Sequence, residues 1–267
     1  YVPMVAAVGS WFDRRRGLAI GVAVSGIGVG TLAGAPLAAG LIASYGWRRT
    51  YVIFAVVSLL TLALCGALAS RPARPRAVAF SLGAAIRTRE FKIIYLSILL
   101  QGFGLFTFFV HIVPYAESHG SSRFAAAALL GVVGVFSTLG RLVFGPISDR
   151  FGRIRTFQAA IAVMALSYLI WLSEPAYWGL ALFAAIMGAA YGGWVAISPG
   201  VVAELFGTEG LGGTTGALYT GAGIGALFGP PLAGLLVDAT GSYRAGIAAA
   251  MVLEVASLAV ILRIRHR

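Results

Sequence analysis

The chain has 267 residues, of which 59% are hydrophobic and 11% are charged, and its formal net charge is +11. A soluble domain carries about 25% charged residues, so this composition excludes a water-soluble globular protein and indicates a chain dissolved in lipid. The basic residues stand at the ends of apolar runs, which identifies the excess as a membrane-topology signal rather than a nucleic-acid surface.

Long uncharged runs follow one another along the chain. Most reach the ~18–20 residues that a helix needs to cross the hydrocarbon core. The last run is interrupted only by Glu254, and Cys65, the single cysteine, lies inside an early run. The pattern predicts an all-α membrane protein with one partial helix and then eight spans, at about 18–45, 50–69, 92–116, 124–145, 155–173, 177–203, 211–237 and 244–264.

The positive charges divide unequally between the two ends of these spans. Sixteen Lys and Arg residues fall at one set of ends and four at the other, which are Arg48, Arg49, Arg123 and Arg244. Cytoplasmic ends carry the excess of Lys and Arg in membrane proteins. The bias therefore predicts a multi-pass protein of the plasma membrane, or cell inner membrane, with a cytoplasmic C-terminus.

One segment occurs twice, 195 positions apart. Residues 17–49 and 212–244 share 13 identities in 33 positions, including Pro36 with Pro231 and Arg49 with Arg244. Such a repeat in an apolar chain is typical of a transporter built from two similar halves. The block before the second copy would map to positions before Tyr1, so we expect an N-terminally truncated chain. Residues 1–69 would be the remnant of an N-terminal bundle, 70–91 a cytoplasmic linker, and 92–267 a complete six-helix C-terminal bundle.

Within the repeat, glycines recur every four residues and place a smooth stripe on one helix face. Such a stripe lets a second backbone approach closely in a membrane. We expect close helix contacts at Gly26, Gly30 and Gly34, and at Gly221, Gly225 and Gly229. Prolines inside the spans predict kinked helices buried among others; they are Pro36, Pro114, Pro199 and Pro231.

The segment from 145 to 155 is the most specific local motif. It resembles the G-x-x-x-D-R-x-G-R cytoplasmic loop of the major facilitator superfamily, and the matching residues are Gly145, Asp149, Arg150, Gly152 and Arg153. Gly145 would let two helices touch, and Gly152 would permit a tight turn. The resemblance implies that Asp149 lies against the start of the span that opens at Gly17 and that this contact gates the cytoplasmic side. A plain basic loop anchored among lipid headgroups is the alternative.

Two further segments narrow the resemblance. Residues 11–26 are similar to the signature with which monocarboxylate transporters and oxalate:formate antiporter relatives enter their fifth helix. Residues 229–243 resemble the eleventh helix of the same group. The resemblance implies a major facilitator helical bundle that runs from the end of helix 4 to helix 12.

Arg141 is the charge that this resemblance singles out. The monocarboxylate group carries an Arg at this place in its eighth helix that pairs with the substrate carboxylate. A guanidinium suits that task because its charge is permanent and its fork binds a carboxylate bidentately. The family often has an Asp one turn earlier, where this chain has Ser137. The alternative is an Arg that snorkels to the headgroups.

Other polar and aromatic side chains in the spans are candidates for the same pocket or for coupling. His111, followed by Pro114 and Tyr115, could carry a proton or bind an anion. Glu254 is a second candidate for proton coupling, with a neutral or paired structural acid as the alternative. Tyr191 and Trp194 could line the cavity, although aromatic residues at that depth often only pack.

The function expected from these features is secondary transport of a small organic anion, such as a monocarboxylate, by alternating access. A coupling proton and the missing N-terminal helices would be its partners, and residues 1–267 alone should not transport. Alternatives are a transporter of another solute class, such as a drug or a sugar, and a non-transporting receptor on the same fold. A catalytic arrangement, a metal site and a cofactor are not expected, because no ligand or nucleophile–base spacing is found.

Overall fold

A computed structural model describes residues 8, 11, 16–68, 82–207 and 211–264. The regular elements in these ranges are α1 (Arg16–Leu68), α2 (Leu82–Arg87), α3 (Arg89–Ser118), α4 (Arg123–Phe151), α5 (Arg153–Leu172), α6 (Tyr177–Phe206), α7 (Leu211–Thr240) and α8 (Tyr243–Ile261). In the part of the chain so described, seven helices are long and apolar enough to cross a membrane, the first of them Gly40–Leu68 within α1. The expected all-α membrane bundle is confirmed.

Side-chain caps explain where several helices begin. The hydroxyls of Thr88, Ser122 and Ser242 accept hydrogen bonds from backbone N–H groups in the first turns of α3, α4 and α8. Such caps satisfy donors that a helix leaves without intrahelical partners. The short helix α2 lies inside the stretch predicted to be a linker.

The motif at 145–155 is not the loop that the sequence analysis predicts. Helix α4 continues through it to Phe151, and α5 starts at Arg153, so that Gly152 alone forms the turn. Gly152 has φ +92°, a backbone conformation that glycine adopts without the steric cost that a Cβ imposes. The polar motif therefore presents its charges on two helix ends rather than on a free loop.

Equivalent backbone breaks mark the two copies of the repeat. Helix α1 begins at Arg16 and α7 at Leu211, which are 195 positions apart. The helical path is broken in both copies by a glycine with positive φ, Gly46 at +77° and Gly241 at +68°, again 195 positions apart. The sequence repeat thus corresponds to a repeated helix of about 30 residues that ends in a glycine turn.

The glycine stripe makes close contacts in the second copy only. A Cβ on Gly225 would stand 2.7 Å from the Cα of Gly102, and one on Gly229 would stand 2.6 Å from the carbonyl oxygen of Phe103. Helices α3 and α7 therefore meet backbone to backbone. In α1 the expected close contacts of the stripe are not found among the described residues. Nothing lies within 4 Å of a Cβ on Gly26, Gly30 or Gly34. The close contact is made instead by Gly28, on another face of the helix.

The six helices from α3 to α8 form one bundle. Helix α3 packs against α7 and α8, α5 packs between α6 and α8, and α4 packs between α6 and α1. Buried aromatic side chains fill the centre of the bundle, among them Phe108, Tyr168, Trp171 and Phe183. Helix α4 thereby stands at the junction between this bundle and α1.

Candidate functional site

Glycines bring α4 and α6 into backbone contact at the middle of the bundle. A Cβ on Gly192 would collide with the carbonyl oxygen of Ser137, and one on Gly140 would collide with that of Ala189. A Cβ on Gly188 would stand 2.8 Å from the carbonyl oxygen of Val133. Such approach is how helices associate in lipid, where apolar side chains gain little from meeting each other. The contact places the residues adjacent to these glycines, Arg141 and Tyr191, side by side.

Arg141 is buried at the junction of three helices. Its side chain is 1% exposed, and its Nη1 donates a hydrogen bond of 2.9 Å to Oγ of Ser137, one turn earlier on α4. Its Cζ lies 5.8 Å from the ring centroid of Tyr191 on α6. Toward α1, its Nη1 lies 3.2 Å from the point where a Cβ of Gly28 would stand. An Arg that extends to the lipid headgroups would be exposed, so the burial of Arg141 does not fit that alternative.

The position of Arg141 along α4 also separates it from the helix end. Helix α4 ends at Phe151, ten positions beyond Arg141. At 1.5 Å of rise per residue, that places its Cα about 15 Å from the helix end. The guanidinium therefore lies within the span and faces other helices.

Helix α1 supplies a second wall beside the guanidinium. A Cβ on Gly28 would collide with Oγ1 of Thr138 and stand 2.9 Å from the carbonyl oxygen of Gly134. The reverse contact is as close, because a Cβ on Gly134 would stand 3.0 Å from the backbone nitrogen of Leu32. Since α1 carries the first copy of the repeat and α4 belongs to the six-helix bundle, Arg141 lies where α1 meets that bundle.

Aromatic rings also lie beside Arg141. The Tyr191 ring meets the ring of Phe109 on α3 edge to face, with centroids 5.5 Å apart. A cation near an aromatic face is attracted by the quadrupole of the ring. Arg141 is thus a permanent cation buried between helices, and a neutral hydroxyl and an aromatic ring are among its contacts.

The structure places His111 elsewhere. Its Nε2 donates a hydrogen bond of 3.0 Å to the carbonyl oxygen of Pro230 on α7, and its ring lies 6.1 Å from that of Tyr243. The α3–α7 contact therefore engages this imidazole, whereas Arg141 lies among α1, α4 and α6.

Tyr115 and Trp194 lie in aromatic clusters. Tyr115 is 1% exposed, stacks on His119 at 4.0 Å and meets the edge of Trp171 at 5.6 Å. Trp194 is buried with its ring 5.7 Å from that of Phe157. Of the aromatic candidates named from the sequence, Tyr191 is the one that the structure brings to Arg141.

Gly145, Asp149 and Arg153 of the charged motif line a cleft at the ends of α4, α6 and α7. Arg153 pairs with Asp149 at 4.0 Å, both side chains are substantially exposed, and the stem of Arg153 lies over Gly200. Arg150 lies over the ring of Phe151. The expected helix contact at Gly145 is not formed among the described residues, where nothing lies within 4 Å of its Cβ position. Asp149 was expected to lie against the start of the span that opens at Gly17; α1 begins there at Arg16, but the side chains of 16–18 are outside the described part of the chain.

Glu254 is fully buried in a third place, between α3, α5 and α8. Its Cγ lies 2.6 Å from the point where a Cβ of Gly104 would stand. One turn from Gly104 along α3, the side chain of Gln101 is also buried. Sequence reasoning identified Glu254 but missed Gln101, which shares its seam, and Phe109, which stands beside Tyr191. A polar residue inside an apolar run was the available signal for Gln101.

The sequence of the chain is similar to those of known membrane transporters. A family model described as Major Facilitator Superfamily matches residues 1–142 and 94–267. Monocarboxylate transporter 12 of Mus musculus is 32% identical over a stretch covering 92% of this chain and 59% of the relative. Monocarboxylate transporter 11 of Homo sapiens is also 32% identical, covering 92% of this chain and 55% of the relative. The chain therefore spans less than two thirds of the length of the curated relatives it matches.

Solved structures agree at the level of the fold. The crystal structure of the E. coli fucose:proton symporter FucP matches 99% of this chain and 73% of its own, with a TM-score of 0.70 and 17% identity. The outward conformation of FucP matches 85% of this chain and 58% of its own, with a TM-score of 0.62 and 18% identity.

Proposed function

Because the chain belongs to the major facilitator superfamily, we propose that it is the larger part of a secondary transporter that moves a small organic anion, monocarboxylate-like, by alternating access. Its multiple apolar helices and its transporter relatives make it a multi-pass membrane protein. The names of the relatives supply the substrate class, and the buried guanidinium of Arg141 is the observation that carries the proposal to this chain.

Arg141 would bind the carboxylate of the substrate. A buried cation in a span is costly unless an anion or polar groups compensate it, and such residues mark substrate pathways. Ser137 is neutral, so its hydrogen bond orients the guanidinium without cancelling the positive charge. Two parallel N–H···O bonds from the guanidinium would hold the carboxylate.

The position of the site between α1 and α4 suits alternating access. In transporters built from repeats, the binding site lies at the interface of the repeats, and rocking of one half against the other exposes it to each side in turn. A substrate at Arg141 would contact α1 from one half and α4 and α6 from the other. Tyr191 would line the pocket, and His111, Tyr115 and Trp194 would support it from the packed helices around it.

The cleft at the ends of α4 and α6 would be the cytoplasmic gate. The charged side chains of the motif are exposed on two helix ends that one glycine turn joins. For this reason we assign to the gate the residues Gly145, Asp149, Arg150, Gly152 and Arg153. The distribution of Arg and Lys supports a plasma-membrane orientation with this end and the C-terminus in the cytoplasm. Net transport by symport or antiport would use a proton, for which His111 and Glu254 are the titratable candidates within the spans.

Counterflow in proteoliposomes tests the proposal. Proteoliposomes that contain the protein, expressed from its complete reading frame, would be loaded with unlabelled solutes. A labelled monocarboxylate would then be added outside. We expect exchange with carboxylates and none with a neutral sugar or amide. Arg141→Ala and Arg141→Lys should abolish exchange while reaching the membrane at normal levels, because neither presents a bidentate fork.

Three results would contradict parts of the proposal. Exchange of sugars or neutral drugs, with carboxylates inert, would assign another solute class to the same fold. Carboxylate binding without flux in sealed vesicles would indicate a receptor. If the Arg141→Ala variant exchanges carboxylates at the rate of the wild type, Arg141 is not part of the binding site.

A further inference from the structure

A polar seam runs between α3, α5 and α8, away from the helices that surround Arg141. At one level, the hydroxyls of Ser97 and Ser257 are 2.8 Å apart, and each is within 3.2 Å of the other residue's carbonyl oxygen. At the next level, Glu254 from α8 faces Gly104 of α3. Glu254 stands one turn from Ser257 along α8 and Gly104 two turns from Ser97 along α3, so both lie further along the same pair of helices.

The Glu254 carboxyl is enclosed without a partner. The residue is 0% exposed, and neither carboxyl oxygen has a hydrogen-bond partner among the described residues. The amide oxygen of Gln101, one turn from Gly104, is likewise buried and without a partner, while its Nε2 contacts Sδ of Met164. The seam therefore contains three buried oxygen acceptors and too few donors for them.

The charges around the seam do not supply the missing donor. Tyr168, the titratable side chain that faces the seam from α5, donates its hydroxyl to the carbonyl oxygen of Gly104 at 2.8 Å. Apart from Glu254 itself, no Asp, Glu, Lys, Arg or His occurs at 93–110 in α3, at 156–172 in α5, at 212–237 in α7 or at 245–262 in α8. A buried carboxyl group needs hydrogen-bond donors or a counter-charge, and the described part of the seam offers neither.

The ligand that fits this seam is a proton rather than a metal ion. A sodium or calcium ion needs a cage of oxygen ligands at distances above 2 Å. Glu254 is instead pressed against the α3 backbone, with its Oε1 2.9 Å from the point where a Cβ of Gly104 would stand. A proton needs no such volume, and on Glu254 it provides a donor for an acceptor such as the Gln101 oxygen.

We infer that Glu254, Gln101 and Gly104 form a proton-binding site in the α3–α8 seam, separate from the anion site at Arg141. Glu254 holds the proton as a neutral carboxyl while α3 and α8 are packed. It releases the proton to water, leaving a carboxylate, only when the seam opens to one side of the membrane. This inference rests on the proposed transport function, in which one proton would move with each monoanion.

The decisive variant is Glu254→Gln, which keeps the volume of the side chain and cannot exchange a proton. In proteoliposomes, an inward gradient of about one pH unit drives about tenfold accumulation of a proton-coupled monoanion by the wild type. Glu254→Gln should keep counterflow within about twofold of the wild type and lose the accumulation. Glu204→Gln, which neutralises an exposed acid near the end of α6, is the matched control and should accumulate as the wild type does.

Infrared difference spectroscopy of the purified protein reads the site without any substrate. The wild type should show a protonated-carboxyl band that Glu254→Gln lacks and Glu204→Gln retains, and the band should fade on alkaline titration. If the wild-type protein transports no monocarboxylate but shows this band, the proposed function is refuted and the proton site is not. The inference is overturned if Glu254→Gln accumulates the monoanion as the wild type does. It is also overturned if the spectrum of Glu254→Gln keeps the protonated-carboxyl band.

Discussion

The close contact between α4 and α6 predicts a sharp difference between two glycine-to-alanine changes on α6. At Gly192 the added Cβ meets the carbonyl oxygen of Ser137, which is backbone and cannot swing away. At Gly200 the nearest atom is Cδ of Arg153, 3.1 Å away, on a flexible and half-exposed side chain. The same substitution therefore tests packing in one place and helix propensity in the other.

The magnitudes follow from these surroundings. Alanine is about 1 kcal/mol more favourable than glycine inside a helix, so Gly200→Ala should stabilise the protein by roughly 0.5–1 kcal/mol. Overpacking costs about 1–3 kcal/mol, and the collision with backbone places Gly192→Ala toward the upper end of that range. We expect a net loss of about 1–2 kcal/mol, or roughly 2–8 °C in Tm for a chain of this size.

Gly192→Ala should also impair transport more than its stability suggests. Its Cβ pushes on Ser137, whose hydroxyl holds the guanidinium of Arg141. A displacement of about 1 Å can cost about 100-fold in a process that depends on positioning. Thermal unfolding in detergent and counterflow in proteoliposomes measure the two effects. If Gly192→Ala proves as stable and as active as Gly200→Ala, the described α4–α6 contact is incorrect.

Three further changes test other parts of the structure. Ser97→Ala or Ser257→Ala should each destabilise by about 1–3 kcal/mol because a buried hydroxyl loses its partner, whereas the double variant should cost less than the sum; additive losses in a thermal-unfolding cycle would show that the two do not pair. Gly46→Ala and Gly241→Ala should each cost about 1–2 kcal/mol because both have positive φ; a neutral effect at either, measured by Tm, would contradict the equivalence of the two breaks. Asp149→Asn should change the free energy of unfolding by less than about 1 kcal/mol, since its ion pair is exposed, yet alter the counterflow rate if it gates; unchanged counterflow would exclude it from the gate.

The membrane spans could be predicted from the sequence because each span depends on local properties. Uncharged runs of sufficient length specify helices whatever surrounds them, and the caps at Thr88, Ser122 and Ser242 fix their beginnings. The motif near Gly152 was harder to place. Its resemblance to a cytoplasmic loop of the family suggested a loop here too, but a single glycine with positive φ is enough to turn the chain, so the helices run further than expected.

The site depends on which faces of the helices meet, and the sequence alone does not determine this. Ser137 and Arg141 are four apart, so their contact follows from helical geometry. Tyr191 and Trp194 are only three apart on one helix, yet one faces Arg141 and the other faces Phe157. The periodic glycines of α1 indicated one face, but the contact with α4 uses Gly28 on another, because the arrangement of neighbouring helices decides which stripe is covered.

Equilibrium binding to the purified protein tests most directly whether the guanidinium of Arg141 recognises an anion. A labelled monocarboxylate and its uncharged amide would be titrated against the wild type and Arg141→Met. A charge-assisted hydrogen bond contributes about 1.5–3 kcal/mol, so the wild type should prefer the carboxylate by about 10- to 150-fold, and Arg141→Met should lose that preference. Equal preference for the carboxylate in both proteins would contradict the account.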